Sequence, residues 1–318
     1  YFRSMLGRTY CAPGGITGLK IWQVDAFTSS VFSGNPAAVI SGHEQQVTDA
    51  MMQKIAAETN MPITTFFLYD DIHFNYVVVK WFTPTAEIPL CGHGTLALAH
   101  VYFTELATTS KVLKFNTARS GFITVERNET LGLRYYRMNF PFISSIESDL
   151  SAVPPHILNA VAGHTPISAH RAKNTWMLVY SDERIVKNAT IFAVALSKCP
   201  PDENRLIITA QATSTSTSTT TATTSADPDS ASSDASTSNN SANDFVSRVF
   251  HFGLEDAVCG SAHCTLAPYW SNQLGKTDLT AYQASSRGGT LHLQLDTDGN
   301  KLYISGTAVT FSSGSMNI

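Results

Sequence analysis

The sequence predicts an α+β fold built from two similar halves. Most segments alternate apolar and polar residues as strands do, and only a few have the periodicity of an amphipathic helix. A stretch of the first half also recurs in the second half. Hydrophobic residues make up 43% of the 318 positions, which is enough for a large core shared by two domains.

Strands and one clear helix are predicted for the first part of the chain. Thr48–Asn60 predicts an amphipathic helix, because its apolar residues fall on one face. The other elements expected here are a turn and four strands: Ser33–Ala37 for the turn, and Leu19–Phe27, Ala38–Ile40, Thr64–Tyr69 and Phe74–Phe82 for the strands.

The second part contains strand-like runs around a low-complexity tract. Residues 211–244 are almost wholly Ser, Thr, Ala, Asn and Asp, so they cannot bury enough apolar surface to fold. Arg205–Ala210 precedes this tract and Phe245–His251 follows it, which indicates a disordered insertion rather than a domain boundary; a regulatory phosphorylation tract is the alternative. Further on, Thr290–Leu295 and Lys301–Ser305 predict a hairpin.

The charge balance argues against nucleic acid or an anionic membrane as a partner. The chain has 21 basic and 25 acidic residues, and four of the acids lie in the Ser/Thr-rich tract. A phosphate-binding protein needs a basic surplus. No apolar run approaches the roughly 20 residues that span a bilayer, and no signal peptide is recognised. We therefore expect a cytoplasmic protein that acts on a small molecule.

The five cysteines are expected to be free thiols. They stand at positions 11, 91, 199, 259 and 264. An odd number in a chain of this length, without a recognised secretion signal, does not indicate a disulfide framework.

The internal repeat centres on two Cys-Gly pairs. Tyr76–Gly92 aligns with Asp244–Gly260, and Cys91 and Gly92 then coincide with Cys259 and Gly260. A helix-like run follows each pair, at Thr95–Phe103 and at Cys264–Trp270. Each half is therefore predicted to contain a strand, a Cys-Gly turn and a helix.

This position suits acid–base chemistry. A cysteine just before a helix faces unpaired backbone N–H groups and the positive end of the helix dipole, which should lower its pKa. The same N–H groups can bind a carboxylate. Two thiols that flank one ligand could take a proton from one face of a carbon and return it to the other.

Other interpretations of these residues stay open. Isolated cysteines in apolar stretches are usually core residues, as we expect for Cys11 and Cys199. Zinc could use Cys259, His263 and Cys264, but the spacing matches no common zinc motif. A Cys–His pair for acyl transfer with His93 is a further alternative.

Six sequence blocks together resemble the phenazine biosynthesis PhzF-like family. In chain order they are Val24–Thr28, Ser33–Val39, Trp81–Thr85, Leu90–Thr95, Gly260–His263 and Gln283–Gly289. The resemblance implies a diaminopimelate-epimerase-like fold: two similar α+β domains, each a mostly antiparallel sheet wrapped around a central helix, with the site between them. It also implies an enzyme without organic cofactor or metal, often a homodimer.

The expected domain boundaries follow from this resemblance. Residues 1–16 are taken as a tag remnant and an N-terminal tail, because Tyr1–Met5 resembles what protease cleavage of a tag leaves. Residues 17–142 should form the N-terminal domain. Residues 143–318 should form the C-terminal domain, which carries the insertion.

Two positions depart from the family pattern, and together they change which residue is expected to act as the base. In phenazine-type isomerases a glutamate shuttles the proton, but the matching position here is Ile63, which cannot do so. Where the family usually has threonine, this chain has Cys259. Together with Cys91, the site then resembles the two-cysteine site of proline racemases and diaminopimelate epimerases.

We therefore predict a cofactor-independent racemase or epimerase that inverts the α-carbon of an amino acid or related carboxylate. Cys91 and Cys259 are the expected catalytic pair. The expected substrate-binding residues are Asn35, Gly92, His93, Gly94, Asp256, Gly260 and Ser261. The alternatives are an isomerase of a small cyclic acid that uses His93 or Asp256, and an inactive protein that binds a small acid.

Overall fold

The computed structural model describes most of the chain outside its N-terminal tail and its Ser/Thr-rich insertion. The described residues are 17–43, 47–69, 77–105, 110–117, 121–130, 132–192, 196, 200, 203, 205–213, 243–251, 253–298 and 300–318. The predictions for residues 1–16, for Cys11 and Cys199, and for most of the insertion fall outside them.

Strands dominate the described residues, as the sequence predicts. In chain order they are Thr17–Ala26 (β1), Asn35–His43 (β2), Thr64–Tyr69 (β3), Val77–Phe82 (β4), Glu87–Ile88 (β5), Val112–Thr117 (β6), Gly121–Thr130 (β7), Leu133–Pro141 (β8), Ile146–Ser148 (β9), Ser168–Ala172 (β10), Thr175–Val179 (β11), Arg205–Gln211 (β12), Phe245–His251 (β13), Leu254–Asp256 (β14), Asp278–Gln283 (β15), Gly289–Asp296 (β16), Lys301–Gly306 (β17) and Ala308–Asn317 (β18).

The helices are fewer and mostly short. They are Asp49–Thr59 (α1), Gly92–Thr104 (α2), Pro155–Leu158 (α3), Glu183–Lys187 (α4) and Gly260–Leu274 (α5), with a 3₁₀ turn at Leu150–Ala152. Helix α1 lies where its apolar periodicity predicts it, and the Thr48 side chain caps its first turn. None of the described helices has both the length and the apolar character needed to cross a membrane.

The strand pairings follow the internal repeat. In the first half, β2 runs parallel to β3, β3 pairs antiparallel with β4, and β4 runs parallel to β6. In the second half, β11, β12, β13 and β15 repeat these three pairings in the same order. The two halves thus share one arrangement of strands, and in each half a central helix precedes the last of these strands.

Two further pairings connect the halves in one sheet network. Strand β8 pairs with β17, and the last strand, β18, returns to pair with β1. Because these pairings cross residue 142, the division into two domains at that residue stays a prediction.

The central helices α2 and α5 begin earlier than their apolar runs predict. Each starts at the glycine that directly follows its cysteine. Most of the α2 side chains are buried, and the helix contacts β1, β2, β3, β7, β8 and β18. Helix α2 is apolar on nearly every side because strands surround it, which explains why the sequence shows no polar face there.

An ion pair from the second half holds the turn before β2. Arg287 donates to the Asp25 carboxylate at 2.7 Å and to the carbonyls of Ser33 and Gly34 at 2.9 and 2.8 Å. Asp25 in turn accepts from the backbone N–H of Phe32. This clamp fixes the backbone that leads into Asn35, the first residue of β2.

Replacement of Gly94 should destabilise the packing of α2 on the sheet. A Cβ atom at Gly94 would lie 2.7 Å from Thr65 Oγ1 and 2.9 Å from Trp81 Cδ1, and both side chains are fully buried. We expect Gly94→Ala to lower the free energy of unfolding by about 1–3 kcal/mol in urea titrations. Gly314→Ala is the control, because a Cβ there meets nothing within 4 Å. Equal stability of the two variants would contradict this packing.

Candidate active site

The two cysteines of the repeat occupy equivalent positions at the starts of the central helices. Cys91 is the N-cap of α2 and Cys259 is the N-cap of α5, and each has an extended backbone conformation. Both side chains are buried, with 7% and 4% of their surface exposed. Neither thiol is needed to cap its own helix, so both remain available to a ligand.

The helix N-termini approach each other directly. A Cβ atom on Gly92 would lie 3.6 Å from the Cα of Gly260, so the two glycine backbones are neighbours. The rings of Phe27 and Phe140 flank this contact, at 3.7 Å from the Cβ position of Gly260 and 3.9 Å from that of Gly92. The structure therefore brings together the two Cys-Gly turns that the sequence repeat singled out.

Asn35 connects the two turns through its amide group. Its Nδ2 donates to Asp256 Oδ1 at 2.7 Å and to the Val258 carbonyl at 2.9 Å, and it lies 3.2 Å from His93 Nδ1. The side chain is buried, and its Oδ1 has no hydrogen-bond partner. Asn35 thus links strand β2 to the residues before Cys259 and leaves one acceptor open.

His93 faces the Cys91 thiol. Its Nδ1 lies 3.5 Å from Cys91 Sγ and 3.2 Å from Asn35 Nδ2, and its Nε2 lies 3.9 Å from the same sulfur. Burial lowers the pKa of His93, although the nearby Asp256 opposes that effect. Near neutrality His93 is therefore an uncharged neighbour of the Cys91 thiol.

Cys259 has a different set of neighbours. Its backbone N–H donates to Gln283 Oε1 at 2.8 Å, and its Sγ lies 3.4 Å from Ser261 Oγ. Ser261 accepts from Arg205 Nη2 at 2.9 Å, and Arg205 Nε donates to His251 Nε2 at 3.2 Å. Neither Arg205 nor His251 is among the site residues predicted from the sequence.

Burial raises the pKa of both thiols. The cause is the loss of hydration of the thiolate, which outweighs the backbone N–H groups of the helix ends. The pKa of Cys259 rises to about 11. The pKa of Cys91 rises further; burial is again the largest cause, and the charges of Asp256 and of an ionised Cys259 add to it. The prediction that the helix N-termini lower these pKa values is therefore wrong for this site.

The expected zinc alternative finds little support at Cys259. Among the described residues, His251, Asp256 and Cys259 place one ligand atom each within 4.8 Å of the others. His263, which the sequence suggested, instead directs Nδ1 at the Cys259 carbonyl. The Nε2 of His251 already accepts from Arg205, whose positive charge opposes a bound cation.

Ile63 forms an apolar wall beside α2. Its side chain is 1% exposed, and its Cγ2 lies 3.3 Å from the position of a Cβ on Gly94. No acid–base group stands at this place, so proton transfer must rest on other residues.

Fold and site together define a protein of the epimerase fold in which two Cys-Gly turns adjoin. The Phenazine biosynthesis-like protein family matches residues 24–314, so the chain belongs to this family, as its sequence blocks suggest. An uncharacterized isomerase of Pseudomonas aeruginosa is 36% identical over 306 residues, which cover 94% of this chain and 99% of the relative. Isomerase is thus the supported class of enzyme.

Solved structures support the same fold. A crystal structure of a PhzF family protein from Enterococcus faecalis has a TM-score of 0.77 and 33% identity, and the match covers 95% of this chain and all of that one. A hydroxyproline epimerase from Agrobacterium vitis, solved with bound trans-4-hydroxy-L-proline, has a TM-score of 0.54 at 11% identity; the match covers 96% of this chain and 93% of that one. At that identity the likeness concerns the fold alone.

Replacement of Asn35 by aspartate should destabilise the site in a pH-dependent way. The new carboxyl group would face the Asp256 carboxylate at the former hydrogen bond, so its folded pKa would be raised above the unfolded value. Stability relative to the parent protein should then fall as pH rises from about 5 to about 8, by about 1–3 kcal/mol.

Urea unfolding at both pH values measures this effect. Asn139→Asp serves as the control, because Asn139 is exposed on β8. An equal response of the two variants to pH would contradict the role given to Asn35.

Proposed function

We propose that this protein is a cofactor-independent racemase or epimerase that inverts the α-carbon of an amino acid. One of the two thiols, as thiolate, removes the α-proton from one face. The other, as thiol, donates a proton to the opposite face. No net oxidation occurs, and the two cysteines exchange protonation states in each turnover.

The arrangement of Cys91 and Cys259 carries this proposal. The two cysteines are the N-cap residues of helices whose first residues, Gly92 and Gly260, are in close approach. A negative charge on Cys259 raises the pKa of Cys91, so the two sulfurs interact electrostatically. A two-base inversion requires this kind of placement, with one acid–base group on each side of a carbon.

The helix ends provide a place for the substrate carboxylate. Backbone N–H groups at the starts of α2 and α5 are unpaired within their helices and carry partial positive charge. A carboxylate bound there would be stabilised further as the α-carbon loses its proton, because negative charge then moves onto the carboxylate oxygens.

The open acceptors beside Cys91 favour an amino group on the substrate. Asn35 Oδ1 is buried without a partner, and the Asp256 carboxylate lies next to it. A buried acceptor without a donor costs about 1–3 kcal/mol, which an ammonium group of the substrate would recover. An amino acid therefore fits better than a hydroxy acid at this position.

The relatives agree with this assignment at the level of reaction class. The Pseudomonas relative is described as an isomerase, and the Agrobacterium protein of the same fold is a hydroxyproline epimerase. The replacement of the family's glutamate by Ile63 and the presence of Cys259 are consistent with a base on sulfur.

Removal of either thiol should abolish inversion, which is the formation of the opposite enantiomer with deuterium at its α-carbon. The reduced protein is incubated in deuterium oxide with separate L- and D-amino acids, and α-deuteration is read by mass spectrometry. We expect at least a 10³-fold loss in Cys91→Ala and in Cys259→Ala, which corresponds to about 4 kcal/mol of transition-state stabilisation.

Cys264→Ala is the matched control, because Cys264 is an equally buried thiol that approaches the Gly260 carbonyl at 3.9 Å instead. Inversion that survives in Cys259→Ala would contradict the two-thiol reaction and assign the proton step to His93 or Asp256. No exchange with any substrate would favour the inactive binding protein.

Activity should rise with pH. Burial raises the pKa of Cys259 to about 11, so only a small fraction is thiolate near neutrality. Below this pKa the thiolate fraction rises about tenfold per pH unit, and kcat/KM should follow it between about pH 7 and pH 9. Initial rates of α-deuteration across this range measure the slope. A flat or falling profile would contradict a thiol base.

A further inference from the structure

Arg205 differs from the other described arginines in the groups that contact its guanidinium. Six of the eight described arginines lie within 4.0 Å of a carboxylate: Arg134, Arg137, Arg171, Arg184, Arg248 and Arg287. A seventh, Arg127, lies over the Phe103 ring. Within the described part of the chain, Arg205 is held by the neutral acceptors Ser261 and His251.

The hydrogen bonds to Ser261 and His251 hold the Arg205 guanidinium close to Cys259. Arg205 and His251 are directly paired residues on the neighbouring strands β12 and β13. Ser261 follows Cys259 by two residues, and its Oγ lies between Arg205 Nη2 at 2.9 Å and Cys259 Sγ at 3.4 Å. The positive charge therefore sits one hydroxyl group away from the sulfur.

Cys91 has no corresponding cation among its described neighbours. The side chain facing its sulfur is the neutral His93, and the charged groups that act on it are Asp256 and, when ionised, Cys259. The two thiols thus have similar burial and similar helix ends, but only Cys259 faces a guanidinium and a hydroxyl group.

We propose that Arg205 is a positioning residue that makes Cys259 the thiol that ionises first. Cys259 is then the base in the resting enzyme and Cys91 is the acid, which rests on the proposed two-thiol reaction. The thiol proton of Cys259 leaves to solvent, and the thiolate that remains is stabilised by the Arg205 charge and by the Ser261 hydroxyl.

The other groups around Cys259 do not reverse this order. Asp256 raises the pKa of both thiols, and at Cys259 its effect is larger than the opposing effect of Arg205, yet the pKa of Cys91 remains the higher of the two. Burial and Arg205 lower the pKa of His251 to about 4, and burial lowers that of His263 to about 4. Cys264 is itself raised to about 12 by burial. Near neutrality these three groups carry no charge, so Arg205 is the cation that acts on Cys259.

Site-resolved alkylation tests the proposal without any turnover. The reduced full-length protein and its variants are treated briefly with iodoacetamide at several pH values between about 7 and 10, and peptide mass spectrometry quantifies modification at each cysteine. Thiolates react and thiols do not. A difference in access to the sulfur changes the alkylation rate by the same factor at every pH. A difference in the pKa of the thiol instead shifts the curve of alkylation rate against pH along the pH axis.

We expect the profile of Cys259 to lie at lower pH than that of Cys91. Arg205→Met should shift the Cys259 profile upward by about one unit, so that alkylation at pH 8 falls about tenfold. The Cys91 profile should stay in place, and Arg205→Lys should restore most of the Cys259 reactivity because the charge is kept.

Arg171→Met is the matched control, because Arg171 is a half-buried arginine on β10 that pairs with Glu203. Its loss should leave the Cys259 profile unchanged. An unshifted Cys259 profile in Arg205→Met, or earlier ionisation of Cys91 in the parent protein, would overturn the proposal. Normal alkylation profiles together with no α-proton exchange would instead count against the proposed function alone.

Discussion

The close approach of Gly92 and Gly260 is the constraint on which the site depends. It places the positive ends of α2 and α5 against each other, an arrangement that is unfavourable unless negative charge lies nearby. Asp256 is the negative group beside this junction, and Asn35 holds it there. In the proposed function these helix ends bind the substrate carboxylate, and the cysteines at the two N-cap positions lie on either side of the substrate.

Much of this arrangement could be predicted from the sequence, because it repeats. The alignment of Cys91 with Cys259 predicted two equivalent turns, and the strand pairings around them follow the same order in both halves. Strand β3 and helix α1 lie where alternation and helical periodicity predicted them. The PhzF-like blocks predicted the family and the epimerase fold, and the comparisons confirm both. The domain boundaries and the residue roles rest on proposals.

What the sequence could not predict depends on contacts between distant residues and on burial. Arg205 and His251 are separated along the chain by the Ser/Thr-rich tract, and they meet only because β12 and β13 pair across it. The strand-like runs on either side of the tract, Arg205–Ala210 and Phe245–His251, were the signal that could have found this pair. If the two runs pair antiparallel, Arg205 lies opposite His251. The thiol pKa values were predicted in the wrong direction, because the helix dipole can be inferred from sequence whereas the loss of hydration cannot.

The fate of the α-hydrogen at early times tests the central claim most directly, which is that two separate thiols serve opposite faces of one carbon. A single enantiomer of an accepted amino acid is incubated with the enzyme in deuterium oxide, and both enantiomers are separated before about a tenth of the substrate has reacted. We expect one deuterium in the product enantiomer and none in the remaining substrate, because the thiol that acts as the acid carries a deuteron from the solvent. Hydrogen retained in the product, or equal deuteration of both enantiomers, would indicate a single base and rule out the two-thiol mechanism.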